Sequence, residues 1–168
     1  GPAEGLHGQV TCIAEANGRL FVGTLQGMFY KEGDHFVKVP GMEQACWQLD
    51  ATIRGSIIAA TTNGIYTYDD HLSEKSQNMS LSILVDNDNS FLSGELDGIY
   101  RRTYDRKSEL IDPIANVIKM KKDDRGGIWA LTVGGEHYYK SAKKDHFTRQ
   151  NNGILSMLLE YTDDKGKH

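Results

Sequence analysis

Several marks of enzymes and membrane proteins are scarce or missing in this chain. Of its 168 residues only 2 are cysteine and 3 are proline. Two thiols, Cys12 and Cys46, cannot build a disulfide framework or a zinc site. Both sit in apolar, strand-like text, so they read as buried free thiols, with one bridge between neighbouring strands as the alternative. No apolar run reaches the roughly 18 residues that a membrane span needs, so no direct membrane contact is expected of this segment. No signal peptide is legible, and the leading Gly1-Pro2 reads as a protease scar. No stretch carries the apolar stripe of an amphipathic helix, so helix content is expected to be near nil. G-x-S-x-G, H-E-x-x-H, C-x-x-C and phosphate-loop motifs are all missing. The formal net charge of −4 gives no footprint for nucleic acid. The one dense basic run, KMKKDDR at 119–125, carries its own acids and reads as a solvated strand end and turn.

What is abundant is glycine, with 18 residues, and its placement is regular. The stretch LFVGTLQGMFY at 20–30 has three echoes. They are IIAATTNGIYTY at 57–68, SFLSGELDGIYRR at 90–102 and IWALTVGGEHYY at 128–139. The glycine that closes the short turn is Gly27, Gly64, Gly98 and Gly135, spaced 37, 34 and 37 residues apart. Alternating strands precede each unit (QVTCIAEA, ACWQLDAT, LSILVDND, NVIKMKKD), and a polar turn with a mixed strand follows each. The unit is therefore four short strands in about 36 residues, bounded by Gly, Asn, Asp and Ser. Small residues recur at one place, Gly23, Ala60 and Gly94, where a neighbouring sheet can pack closely.

Tandem four-stranded meanders spell a β-propeller. Each sheet has two apolar faces it cannot bury alone, and stacking sheets around an axis buries both. The expected fold is all-β, a propeller fragment of four antiparallel blades at about 7–42, 43–78, 79–114 and 115–153. The first strand of each blade should line the axis. The last, more polar strand should form the outer edge, where charge discourages edge pairing. Residues 154–168 read as the first strand of a following blade, so the chain reads as an excerpt of a longer propeller. Four blades could close as a small ring, pair with a second chain as half-rings, or stay an open arc. Exposed sheet faces favour self-association, as a homodimer through the open ends.

The unit DDRGGIWALTVGG at 123–135, followed by YY, resembles the repeat of two-component regulator propellers. These are sensor-domain propellers of bacterial hybrid two-component systems, of Bacteroides type. NGRLFVGTLQGMFYKEGDHF at 17–36 resembles it as well, and NNGILSMLLEYTDDKG at 151–166 is similar to the family's bridge between blades. The pattern's Trp stands only at Trp129, with Phe21, Ile58 and Leu92 elsewhere. Its Gly-Thr pair is whole only at Gly23-Thr24. The resemblance implies a periplasmic or extracytoplasmic sensor module, followed in its parent by a membrane span and a kinase, that responds to carbohydrate breakdown products. Another short-repeat propeller family, acting as a protein-interaction scaffold, is the alternative.

The residues themselves point to binding rather than catalysis, and no cofactor is expected. His35, His71 and His146 recur in outer turns (DHF, DHL, DHF), where blades radiate apart and cannot converge on one ion. His137 reads as structural. Glu95 with Asp97, and Asp69 with Asp70, read as turn formers rather than a glycosidase pair. Propeller ligands meet the loops at one end of the axis. There the polar candidates are Gln26, Gln44, Asn63, Asn78, Asp97, Asn116 and Asn152, whose amides and carboxylates suit sugar hydroxyls. Trp47, near the start of an inner strand, could stack on a sugar ring. The expected partners are an oligosaccharide and a second copy of the chain.

Overall fold

The computed structural model describes residues 4–151. Asn152 and the expected further strand at 154–168 lie outside the described residues. Among the described residues every regular element is a strand. Blade 1 holds β1 (Val10–Ala16), β2 (Arg19–Thr24), β3 (Gly27–Glu32) and β4 (His35–Lys38). Blade 2 holds β5 (Cys46–Ala51), β6 (Ile57–Thr61), β7 (Gly64–Tyr68) and β8 (Leu72–Ser76). Blade 3 holds β9 (Ser82–Val85), β10 (Ser90–Gly94), β11 (Ile99–Thr103) and β12 (Ser108–Asp112). Blade 4 holds β13 (Val117–Lys122), β14 (Ile128–Thr132), β15 (His137–Lys140) and β16 (Thr148–Gln150). Each blade is one antiparallel meander in sequence order.

The first strands lie side by side, β1 by β5, β5 by β9 and β9 by β13. They form the inner wall of the arc, and the last strands form its rim. The sheets do not close into a ring, so blade 1 and blade 4 are the ends of the series.

The core consists of the seams between blades. Between blades 1 and 2 lie Phe21, Met28, Cys46, Leu49, Ile57 and Tyr68. Between blades 2 and 3 lie Ile58, Ala60, Ile65, Ile83 and Phe91. Between blades 3 and 4 lie Leu92, Ile99, Val117, Met120, Ile128 and Phe147. Alternation explains the division. Ile57 and Ala59 face blade 1, while Ile58 and Ala60 face blade 3, because successive side chains of β6 point to opposite sides.

Polar side chains stitch one blade to the next at a constant offset of 35 residues. The Gln48 Oε1 accepts from the Ile83 N–H at 2.9 Å, and the Asp50 Oδ2 from the Val85 N–H at 2.8 Å. Ser82 Oγ donates to the Val117 carbonyl at 2.7 Å, and the Phe147 N–H donates to Asp112 Oδ2 at 2.9 Å. Inner strands have one edge turned away from their own sheet. The first three bonds satisfy backbone groups on that edge that would otherwise be buried without a partner, and the Phe147–Asp112 bond ties the outer-strand regions of blades 3 and 4.

In blades 1 and 2 the loops between second and third strands share a single device. Thr24 Oγ1 accepts the Gln26 N–H and donates to the Gly27 carbonyl, both at 3.0 Å. Thr61 does the same with Asn63 and Gly64, at 3.1 and 2.7 Å. Gly27 sits at φ +128°, and a Cβ there would stand 2.1 Å from the Met42 carbonyl oxygen, so only glycine fits.

Candidate functional site

The arc has two ends. The loops after each second strand and the connections between blades gather at one, the loop end. The turns after each first and third strand gather at the other, the turn end.

At the loop end, three inner strands carry one extra residue at the same place: Thr11 in β1, Trp47 in β5 and Ile118 in β13. A bulge of this kind re-aims a side chain out of the regular alternation. Trp47 and Ile118 thereby line one cleft of about 290 Å³, with Leu81, Asn116 and Val133. The Trp47 indole is pinned at its edge, where Nε1 donates to Thr62 Oγ1 at 3.1 Å. Asn116 has φ +57°, a conformation asparagine tolerates better than most residues. Its N–H donates to the Glu95 carbonyl at 3.1 Å, and its carbonyl accepts from the Val133 N–H at 3.0 Å. It thus splices the loops of blades 3 and 4 beside the cleft.

The cleft brings together Trp47 and Asn116 of the eight expected site residues. Gln26, Asn63 and Asp97 stand exposed on three separate loops. Asp97 accepts the Tyr100 hydroxyl at 3.0 Å on both oxygens. Gln44 is half-buried and donates to Met42 Sδ at 3.6 Å. Asn78 is exposed and its N–H donates to Ser76 Oγ at 3.1 Å.

The other candidates from sequence are engaged where they stand. Glu95 is buried and forks onto Arg102, with Nε and Nη2 donating at 2.6 and 2.8 Å. The Arg102 guanidinium lies 4.9 Å over the Tyr100 ring. His35, the first residue of β4 rather than part of the turn, and His71, in an exposed bend, stand 3.5 and 3.4 Å from Asp34 and Asp69. His146 differs, because its Nδ1 lies 3.0 Å from the Ile111 carbonyl and 3.1 Å from Asp112, joining blade 4 to blade 3. No group of three potential metal ligands gathers among the described residues.

A larger concavity, about 580 Å³, opens at the turn end between blades 2 and 3. Arg54, Thr67, Lys75, Asn89, Tyr104 and Lys107 are among its walls. The Tyr104 ring packs on Phe91 at 5.2 Å, and its hydroxyl is buried without a partner among the described residues. Burial, with the Asp50 charge nearby, pushes that hydroxyl up to about 12. No sequence signal marked this cleft. Its walls come from turns of two blades that are far apart in the chain, and each turn is ordinary by itself.

No family model and no curated protein matches the chain. Solved structures do. The extracellular domain of a protein described as a hybrid two-component system of B. thetaiotaomicron superposes with a TM-score of 0.70 at 15% identity, over 87% of this chain and 25% of that one.

The fold is that of a β-propeller.

A second extracellular domain so described, from the same organism, gives 0.69 at 14% identity, over 84% of this propeller chain and 22% of its own length. Virginiamycin B lyase from Staphylococcus aureus gives 0.68 at 14% identity, over 84% and 55%. The propeller described here thus spans about a quarter of the two extracellular domains. At such identities the likeness establishes the fold, and the same arc of blades occurs both in extracellular domains of two-component systems and in a lyase.

Proposed function

We propose that this chain is a non-enzymatic recognition module, part of an extracytoplasmic sensor propeller, that takes carbohydrate at its loop end. The observation that carries this reading is Trp47. A bulge turns it into the loop-end cleft, and its bond to Thr62 fixes the indole while leaving apolar ring surface for a sugar to stack on. Asn116 supplies amide groups at the same cleft. The likeness to extracellular domains of two-component systems supports the sensor setting and the extracytoplasmic location. A lyase reading rests on fold alone, and the acids of the loop-end turn in blade 3 are already held by Arg102 and Tyr100.

Titration of the chain with a panel of neutral and acidic oligosaccharides, followed by tryptophan fluorescence and thermal shift, tests the reading. A saturable response to at least one saccharide, lost in Trp47→Ala with the fold retained, is expected. A panel without any response overturns carbohydrate recognition by this segment.

A protein partner is the second reading, favoured by Leu25, Leu96 and Val133. These three stand in the second-to-third-strand loops and are 40%, 57% and 68% exposed. Together with the cleft they make the loop end more apolar than sugar binding needs.

The reading extends to self-association through the open face of blade 1. Leu49, Ile83 and Met120 pack against the preceding blade and are 6%, 0% and 1% exposed. Ile13 holds the same place in β1 and is 61% exposed. A second copy of the chain would cover it. Sedimentation equilibrium should show a dimer that Ile13→Glu weakens, and a monomer at all concentrations refutes this part.

A further inference from the structure

We infer that Cys12 and Cys46 form a redox-active pair that closes into a disulfide and locks blade 1 to blade 2. Cys12 lies on β1 and Cys46 on β5, the inner strands that meet at this seam. Both sulfurs crowd one point. A Cβ built on Gly23 would stand 2.4 Å from the Cys12 sulfur and 2.9 Å from the Cys46 sulfur. The two sulfurs are therefore at most 5.3 Å apart, and glycine at position 23 leaves open the space between them. Bridging requires the two sulfurs to approach to about 2.05 Å.

The position is a stitching position elsewhere in the arc. Register places Cys12 opposite Gly23, Gln48 opposite Ala60 and Ser82 opposite Gly94. Gln48 and Ser82 bond to the next blade's inner strand. Cys12 faces the next blade's inner strand as they do and meets a second thiol there. Thr11 holds the pair in place: its hydroxyl lies 3.3 Å from the Cys12 sulfur and donates to the Cys46 carbonyl.

The two thiols are unequal, as an exchange reaction requires. Cys12 is half-buried and Cys46 is fully buried. The Cys46 thiol donates toward Cys12, which holds Cys12 below the usual thiol range and pushes Cys46 well above it. Cys12 is thus the thiolate that meets an external disulfide. It attacks one sulfur of a small disulfide such as oxidised glutathione, forms a mixed disulfide and expels the first thiol. Cys46 then loses its proton, attacks the Cys12 sulfur and expels the second. The two cysteine hydrogens end on the two released thiols, the external disulfide is reduced, and the cysteine pair is oxidised. The new bond would enclose all four strands of blade 1 in one loop, at an end of the arc where no further described blade supports it.

The test is to incubate the folded chain with oxidised glutathione, then alkylate under denaturing conditions and weigh it. The expected product is a monomer lacking two hydrogens and taking up no alkyl group. Its melting temperature should rise by about 5–10 °C and return on reduction with dithiothreitol. Cys12→Ser and Cys46→Ser should each lose that reversible rise. Gly23→Ala, which sets a methyl group between the sulfurs, should slow closure in whatever fraction folds. Two free thiols after oxidation, a glutathione adduct that persists on Cys12, or a bond between chains would each overturn the inference.

Discussion

The seam between blades 1 and 2 and the seam between blades 2 and 3 join equivalent strands with different chemistry. The first is aromatic and sulfur-rich. Phe21, Tyr30 and Tyr68 cluster with centroids 6.2–6.4 Å apart, beside Met28 and the two cysteines. The second is aliphatic around Phe91 and is stitched by Gln48 and Asp50 to backbone N–H groups of β9. In the registers, Cys12 corresponds to Gln48 and Ala14 to Asp50. One seam is therefore held mainly by shape, with the Thr11 hydroxyl donating to the Cys46 carbonyl across it. The other is held by shape and by directional bonds that also set the register of the two blades. Dispersion and apolar burial tolerate sliding, whereas a carboxylate on one N–H does not.

The largest break in this comparison should come from Phe91→Ala. Phe91 is fully buried at the centre of the second seam, so its loss should cost about 3–5 kcal/mol. Urea unfolding would measure it, and a cost under about 1 kcal/mol would mean that the ring is not the centre of that seam.

Next is Asp50→Ala. Its two oxygens accept from the Ala51 and Val85 N–H groups, each at 2.8 Å, and truncation leaves the Val85 donor without its partner at the seam. A loss of about 1–3 kcal/mol is expected. The reciprocal change, Ala14→Asp, sharpens the contrast. The blade 2 residue corresponding to Val85 is Ala51, whose N–H is already taken by Asp50. The new carboxylate should therefore destabilise the first seam instead of stitching it. Stabilisation by Ala14→Asp would show that the two seams are interchangeable.

The smallest effect is on pH dependence. Burial holds the Asp50 carboxyl above its ordinary value, against the two N–H bonds and Lys122. A raised folded value means that the folded chain binds this proton more tightly than the unfolded chain. The resulting stabilisation is fully present below the unfolded value of about 3.9 and is lost as pH rises through the folded one. The melting temperature of the wild type relative to Asp50→Asn should accordingly fall as pH rises from about 4. A difference that stays constant across that interval would remove Asp50 as the titrating group.

Much of this was legible in the chain. Alternation and regular turn glycines announced four-stranded units, and the recurrence of Gly23, Ala60 and Gly94 announced close packing between them. The candidate site was legible only in part. Trp47 and Asn116 could be marked by residue type and position, but Gln26, Asn63 and Asp97 stand on loops of different blades and do not line the cleft that holds those two. A register shift of one residue, invisible in the text, decides that Trp47 enters the cleft. The turn-end cleft escaped notice because its walls are assembled from turns dozens of residues apart.

By itself the sequence determined the repeating unit, because strand length, alternation and turn chemistry are local properties of a few adjacent residues. Tertiary structure alone decided what adjacent units do to one another. The pairing of Cys12 with Cys46, the bonds from Gln48 and Asp50, and the exposure of Ile13 where Leu49, Ile83 and Met120 are buried all depend on which sheet lies across the seam. The physical reason is distance. Blade-to-blade contacts join residues about one repeat apart, and a repeat spells itself without spelling its neighbour.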